Sequence, residues 1–374
     1  HAEIEKRAED YRNLFNSIRD VIVVADHNRT ILHVNQPALN DIFGYESPEV
    51  IGKSSGILYA NDDDYQRTGR EVFDVKAPVK GKLAELHFRR KSGEVFIGEL
   101  YAMKRLDRFG DVTGNISIFR DISERKKAEA DLRESELRRM QLQLELVYAA
   151  EIQAKLLPRV YPQIGGFEIA ARCLPAKQVG GDFYDWQQVS PTLFNLTLGD
   201  VMGKGMAAAM LMATVRAALH AVTLYNPPAQ AVHLAEKALY EDLENSESFV
   251  TLFHAQLDAT ARTLSFVDCG HGYVFVRRQD GAVETLNPRG LPLGVQGDEV
   301  YQEGTVQLGR GDVVVLYSDG LVDAKPELEL THEALARQLA GKKSAQEMAD
   351  ALIALTGKPD PQPDDITVLV LRGV

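Results

Sequence analysis

Cysteine is nearly missing from this chain. Only Cys173 and Cys269 occur among 374 residues. They lie far apart and form no Cys-x-x-Cys pair. A disulfide framework and a cysteine zinc site are therefore both excluded, and the pair suits a reducing cytosol. Long apolar runs are also missing: no stretch approaches the roughly 18 residues that a membrane-spanning helix needs. No signal peptide is visible. Positive charge is in deficit, with 42 Lys and Arg against 54 Asp and Glu and a net charge of -12. That balance argues against a nucleic-acid binder driven by phosphate contacts. The chain opens at His1, inside a charged segment of helical pattern, so we expect a fragment of a longer natural chain. What is present is ample apolar material. At 45% hydrophobic residues, a chain of this length can build two or more domains, each with its own core.

Residues 1–18 carry Ile4, Ala8, Tyr11, Leu14, Phe15 and Ile18 at helical spacing. Residues 19–122 follow as a first domain. The run DVIVVADHNRTILHVN alternates like two strands around a turn at Asp26-His27-Asn28, and Pro37 to Phe43 suits a short helix stopped by Gly44. LAELHFRRKSGEVFIGELYAMKRL and GDVTGNISIFRDIS read as three more strands. One antiparallel sheet with helices on one face is expected. The runs VVADHNRTILHVNQPALNDIFGYESPEVIGKS, HFRRKSGEVFIGE and FRDISERKKAE resemble the PAS sensor family. The resemblance implies a sensor whose ligand is set by its pocket. The flavin-adduct cysteine of the light-sensing subclass has no counterpart before Cys173. His33 and His87 are candidate haem ligands, but lone strand histidines are more often structural, and haem is not expected. A small apolar ligand, and a dimer interface with no ligand, both remain open.

Residues 123–157 contain neither Gly nor Pro and are rich in Ala, Glu, Leu, Arg and Gln. One continuous helix is predicted. Leu137, Met140, Leu144 and Val147 step by three and four, the spacing of a coiled-coil seam. Leu132 to Leu137 is a step of five, so the seam changes phase near Ser135. A parallel homodimer through this helix is expected.

Residues 158–374 alternate between strand and helix patterns in an order that suggests two packed sheets with helices outside. The fold class expected for the whole chain is α+β. The acids of this last region stand out. Asp182 lies in Gly180-Gly181-Asp182, Asp200 ends an apolar strand, Asp319 follows VVVLYS, and Asp364 and Asp365 precede ITVLVL. Each is a carboxylate at the edge of an otherwise apolar strand. Should they converge, they would repel and raise one another's pKa unless cations neutralised them. Oxygen ligands call for Mg²⁺ or Mn²⁺ rather than zinc. Such a pair of ions suits hydrolysis of a phosphoester by water.

VGGDFYDW, GDVMGKGMAAAM, LPLG, YSDGLVDA and DDITVLVL, in this order, resemble the PPM-type metal-dependent Ser/Thr phosphatases, in the bacterial SpoIIE-like branch. The segment AAEIQAKLLP belongs to the same match. The resemblance implies a β-sandwich flanked by helices and two metal ions. It implies Asp200 bridging both, Asp182 and the Val201 carbonyl completing one site, and Asp319 and Asp364 completing the other. Asp200 and Asp182 would be central to catalysis. Asp365 and Asp185 would stand behind the ligands. No counterpart is evident for the arginine that binds substrate phosphate in eukaryotic relatives. Lys204 is a candidate for that contact by proximity; a solvated turn lysine is the alternative. Ser318 and Asp323 stand where Thr and Glu are common. His271 and Trp186 are read as structural. By the same resemblance the substrate is a phosphorylated anti-sigma-factor antagonist of the STAS type, and the protein is a cytoplasmic, sensor-regulated phosphatase of a stress-response partner switch. Two other readings are a nucleotide cyclase, because GGDFYD is superficially similar to a GGDEF motif, and a phosphatase-like binding module without catalysis. The rest of the motif set has no place in the first, and the intact acids argue against the second.

Overall fold

The computed structural model describes residues 2–71, 82–357 and 361–374. The chain falls into two compact units, His1–Arg139 and Met140–Val374.

The first unit opens with helix α1 (Ala2–Ser17), followed by β1 (Val21–Ala25), β2 (Ile31–Val34), α2 (Ala38–Phe43), α3 (Ser47–Val50) and α4 (Asp62–Glu71). β3 (Lys82–Arg89), β4 (Val95–Leu106) and β5 (Val112–Asp121) complete it. The strands form one antiparallel sheet in the order β2-β1-β5-β4-β3. Local chemistry sets the turns. The Asp26 carboxylate accepts the amides of Asn28 at 2.9 Å and Thr30 at 2.8 Å, which closes the β1–β2 turn. Gly44, at φ 75°, ends α2. Phe43, Phe88, Phe96 and Phe119 fill the core edge to face, with Phe43 and Phe119 centroids 5.7 Å apart. His33 and His87 are both exposed and outside this core.

Helix α5 (Ser123–Leu156) is continuous over 34 residues and has no buried residue. Asp121 accepts the Ser123 amide at 2.9 Å where the helix starts. Leu137, Met140, Leu144 and Val147 are all exposed along it.

The second unit contains β6 (Phe167–Leu174), β7 (Phe183–Gln188), β8 (Leu193–Val201), α6 (Met206–Val222) and α7 (Pro228–Asn245). β9 (Val250–Asp258), β10 (Thr263–Cys269), β11 (Val274–Arg277), β12 (Val283–Thr285) and β13 (Gly304–Gln307) follow. β14 (Val313–Tyr317), α8 (Gly320–Asp323), α9 (His332–Gln338), α10 (Ala345–Leu355) and β15 (Ile366–Gly373) close the chain. Two five-stranded sheets result, β13-β10-β9-β8-β7 and β12-β11-β14-β15-β6. The alternation of β14 shows why they pack. Val314 and Leu316 face the layer between the sheets, with Leu196 and Leu198 of β8. Val313, Val315 and Tyr317 face a second core beneath α9 and α10. On the other flank Met212, Val215 and Leu219 of α6 pack with Leu239 and Leu243 of α7. The fold is α+β, a PAS-like sheet followed by a helix-flanked sandwich, as the sequence patterns imply. The short edge strands β12 and β13 carry no such pattern.

Candidate active site

The acids gather where β8 ends, where the loop before β7 passes, and where β14 and β15 meet. β8 pairs with β9 through Asp200 opposite Thr251 and Val201 opposite Val250. Val201 also donates its amide to the Gly181 carbonyl at 3.4 Å, which joins the Gly180–Asp182 loop to the metal-ligand turn expected from the sequence. Asp365 fastens the loop from the other side. Its Oδ1 accepts the Ala176 amide at 2.7 Å and its Oδ2 accepts the Gly181 amide at 2.6 Å. Three glycines make this closeness feasible. A Cβ on Gly180 would lie 2.1 Å from Asp365 Oδ2, one on Gly181 2.5 Å from the Val201 carbonyl oxygen, and one on Gly320 2.0 Å from the Asp365 carbonyl oxygen.

Within this frame Asp182 is buried, and its Oδ2 has no hydrogen-bond partner among the described residues. Burial and then the facing Asp200 push its pKa well above the carboxylate range, and the Ser318 and Thr367 hydroxyls offset this only in part. Asp200 is raised to about 7 by burial, then by Asp319, and further by Asp364 and Asp365. Asp319 is raised by burial and then by Asp364 and Asp323. It begins α8 without its carboxylate serving as a cap. Asp364 accepts the Asp365 amide through Oδ1 at 2.9 Å, and its Oδ2 pairs with Lys204 Nζ at 2.8 Å. Lys204 also donates to the Pro363 carbonyl. It is thus neither a loose surface lysine nor free of the acids.

Asp182, Asp200, Asp319 and Asp364 therefore influence one another through space. Among the described residues, no three acids, histidines or cysteines are drawn tightly enough to form a ready-made cage for an ion. The donor set nonetheless suits a hard cation. It is all oxygen, includes one orphaned buried carboxylate atom, and has more negative charge than Lys204 can balance.

Asp185 lies elsewhere. It pairs with Arg216 at 3.1 Å and His220 at 2.9 Å, both on α6, and so ties that helix to β7. Trp186 stacks between Tyr161 and Tyr184, and its indole donates to the Val160 carbonyl at 3.0 Å. His271 is buried, with Nδ1 3.3 Å from Thr251 Oγ1.

Sequence reasoning does not reach Gln153. From the last turns of α5 its Nε2 donates to the Gly180 carbonyl at 2.7 Å, and its Oε1 accepts the Gly180 amide at 3.1 Å. The linker helix thus grips the loop that carries Asp182. A glutamine within a helix former's stretch sends no signal of its own; only its place in AAEIQAKLLP could have pointed to it.

Residues 190–373 match the family described as Stage II sporulation protein E (SpoIIE), and residues 19–124 match a PAS domain family. The chain pairs a PAS domain with a PPM-type phosphatase domain of the SpoIIE family. Phosphoserine phosphatase RsbU of Bacillus subtilis (strain 168) is 28% identical over 242 residues, 62% of this chain and 71% of the relative. Phosphoserine phosphatase RsbP of the same organism is 22% identical over 185 residues, 48% of this chain and 45% of the relative. The chain thus spans less than half of RsbP. RsbU is the more identical of the two. Among solved structures, the SiaA-PP2C domain of Pseudomonas aeruginosa superimposes with a TM-score of 0.54 at 23% identity. It covers 63% of this chain and 98% of that domain, a likeness of fold.

Proposed function

We propose that this SpoIIE-family chain is a sensor-regulated protein phosphatase that hydrolyses phosphoserine or phosphothreonine esters with water, using two Mn²⁺ or Mg²⁺ ions. The observation that carries the reading is the under-neutralised group Asp182, Asp200, Asp319 and Asp364, with an orphaned oxygen on Asp182. Asp182 and the Val201 carbonyl would hold one ion, Asp319 and Asp364 the other, and Asp200 would contribute to both. A bound pair supplies an acidified water and a clamp for the phosphoryl oxygens. The protein's own part is positioning. Asp365 fixes the Gly180–Asp182 loop through two amides, and Gly181 leaves the Val201 carbonyl uncovered. Lys204 keeps a positive charge beside Asp364 and is our candidate for a contact with the phosphoryl group. Asp185 acts at a distance, by holding α6.

The substrate we propose is a phosphorylated STAS-type anti-sigma-factor antagonist in the cytoplasm, within a stress-response partner switch. We take 1–18 as an entry helix, 19–122 as the sensor, 123–157 as the linker and 158–374 as the phosphatase. The exposed stripe of Leu137, Met140, Leu144 and Val147 supports a parallel homodimer through the linker. Gln153 and Leu157, which packs with the core beneath α6, supply a path by which linker register reaches the site.

The test is Mn²⁺-dependent release of phosphate from a phosphoserine STAS protein. The parent should turn over and Asp200→Asn should not; persistent turnover in that variant overturns the site. Light scattering that returns a monomer at working concentration removes the dimer.

A further inference from the structure

An open groove of about 690 Å³ lies between α8 and the start of α9. Gly272, Tyr273, Tyr317, Val322, Leu330 and His332 line it. Val322 on its wall lies one turn along α8 from Asp319, the Val322 amide bonding to the Asp319 carbonyl at 2.9 Å. Aromatic rings back it, the half-exposed Tyr273 in front of the buried Tyr317. Tyr273 and Tyr317 centroids are 5.3 Å apart, and His332 stands edge-on to Tyr317 at 6.0 Å. Tyr273 feels the charge of the site: burial raises its phenol pKa, and Asp319, Asp323 and Asp200 raise it further.

One cation attends this groove from a built position. Arg289 Nε lies 3.3 Å from Oδ2 of the buried Asp268, and Nη2 donates to the Gly272 carbonyl at 3.1 Å. Asp268 is itself fixed by the His271 amide at 2.8 Å. Gly272 is required under the guanidinium, since a Cβ there would sit 2.7 Å from Arg289 Cζ. The side chain is nevertheless 44% exposed, and Nη1 has no partner among the described residues. An arginine held by a buried carboxylate, with one edge open to solvent, is arranged to receive an anion.

We propose that this groove, with Arg289 beside it on Gly272, takes the chain segment flanking the phosphorylated residue of a protein substrate, an apolar side chain lying on Tyr273 and Leu330 and an anionic group of the substrate meeting Arg289. The inference rests on the phosphatase reading and specifies what that site accepts. Such a surface rewards an apolar residue by burial, and Glu329 and Glu333 on the α9 side disfavour acids there.

The full-length chain with Mn²⁺ is assayed on three probes: a phosphoserine peptide with leucines on both sides of the phosphoserine, the same peptide with serines in their place, and free O-phosphoserine. The parent should prefer the leucine peptide over the serine peptide by about tenfold in kcat/KM. Leu330→Glu should erase that preference through KM and leave O-phosphoserine turnover unchanged. Arg289→Gln should raise KM by about tenfold on all three probes, because the phosphoryl group is the anion they share. Circular dichroism and melting of each variant exclude misfolding. The groove is overturned if the parent shows no preference, if Leu330→Glu keeps it, or if Leu330→Glu loses activity equally on O-phosphoserine. Arg289 is overturned if Arg289→Gln leaves every KM unchanged. A parent inactive on all three probes overturns the phosphatase reading itself, an outcome distinct from an active parent with unaltered variants.

Discussion

Strand β14 has an aspartate just before it and another just after it, and the two sit in opposite electrostatic surroundings. At one end, Asp312 Oδ2 accepts the Gly309 amide at 2.8 Å and Arg278 Nη1 at 2.8 Å, and Oδ1 accepts the Gln279 amide at 2.9 Å. Burial alone would raise its pKa, but the Gly309 amide and Arg278 outweigh that and lower it. At the other end, Asp319 is half-buried among Asp364, Asp323 and Asp200, with Lys204 as partial relief, and is raised. Both are acids flanking one apolar strand. The first is satisfied by its own chain and reads as a fastening. The second is left wanting a cation, which is the mark of a site that something else completes.

The largest effect that would break this contrast is on turnover. Asp200→Asn should lower phosphate release from a phosphoserine substrate by on the order of a hundredfold or more, whereas Asp312→Asn should leave kcat near that of the parent. Equal losses in the two variants would mean that both acids are structural. Next comes stability. Asp312→Asn should cost about 2 kcal/mol in urea unfolding, because a buried acceptor of Arg278 is weakened. Asp200→Asn should instead stabilise the chelator-treated protein, since it removes one member of a repelling set. Smaller still, Gln153→Ala should reduce turnover about tenfold by loosening the loop that carries Asp182, with Mn²⁺ affinity falling in parallel by calorimetry. A variant as active as the parent would cut the linker out of the argument.

The smallest effect is in pH dependence, where Asp200, which belongs to the group around Asp319, and Asp312 should move in opposite directions. The Asp200 folded pKa, about 7, lies above the ordinary 3.8. In chelator the folded parent therefore holds more protons than the unfolded chain and loses stability as pH rises from 3.8 to about 7. The advantage of Asp200→Asn over the parent should accordingly grow across that window and then level off. Asp312 is lowered below 3.8, so its contribution is complete above 3.8 and fades as pH falls through its folded value. The deficit of Asp312→Asn should shrink in acid. Comparing each variant with the parent cancels the background from His254 and His271, both buried and lowered to about 4. Melting temperatures across the range check both signs.

Much of this was legible in the residues. Period-two alternation marks β8 through Phe194, Leu196 and Leu198, and an unbroken apolar run marks β14. The run without Gly or Pro marks α5. Acids at the ends of apolar strands point to one rim of the sandwich, because strand ends are where such a side chain can avoid the core. β12 and β13 escape because strands of three and four residues at sheet edges, half exposed, show too little alternation to read. The pairing of Lys204 with Asp364 and the grip of Gln153 on Gly180 join residues far apart in the chain, and nothing local to either partner announces them. Arg289 is hidden for the same reason: its significance comes from Asp268 and Gly272, which the fold brings beneath it.

The glycines at 181 and 320 leave main chain stacked against main chain, with no side-chain layer between, and Gly180 lies directly on the Asp365 carboxylate. Such a junction has no rotamers to adjust. Any traffic between an idle and a working arrangement must therefore slide whole segments past one another, as plates in a shutter do. Even a single methyl group added at Gly181 would jam that travel while sparing every charged residue nearby.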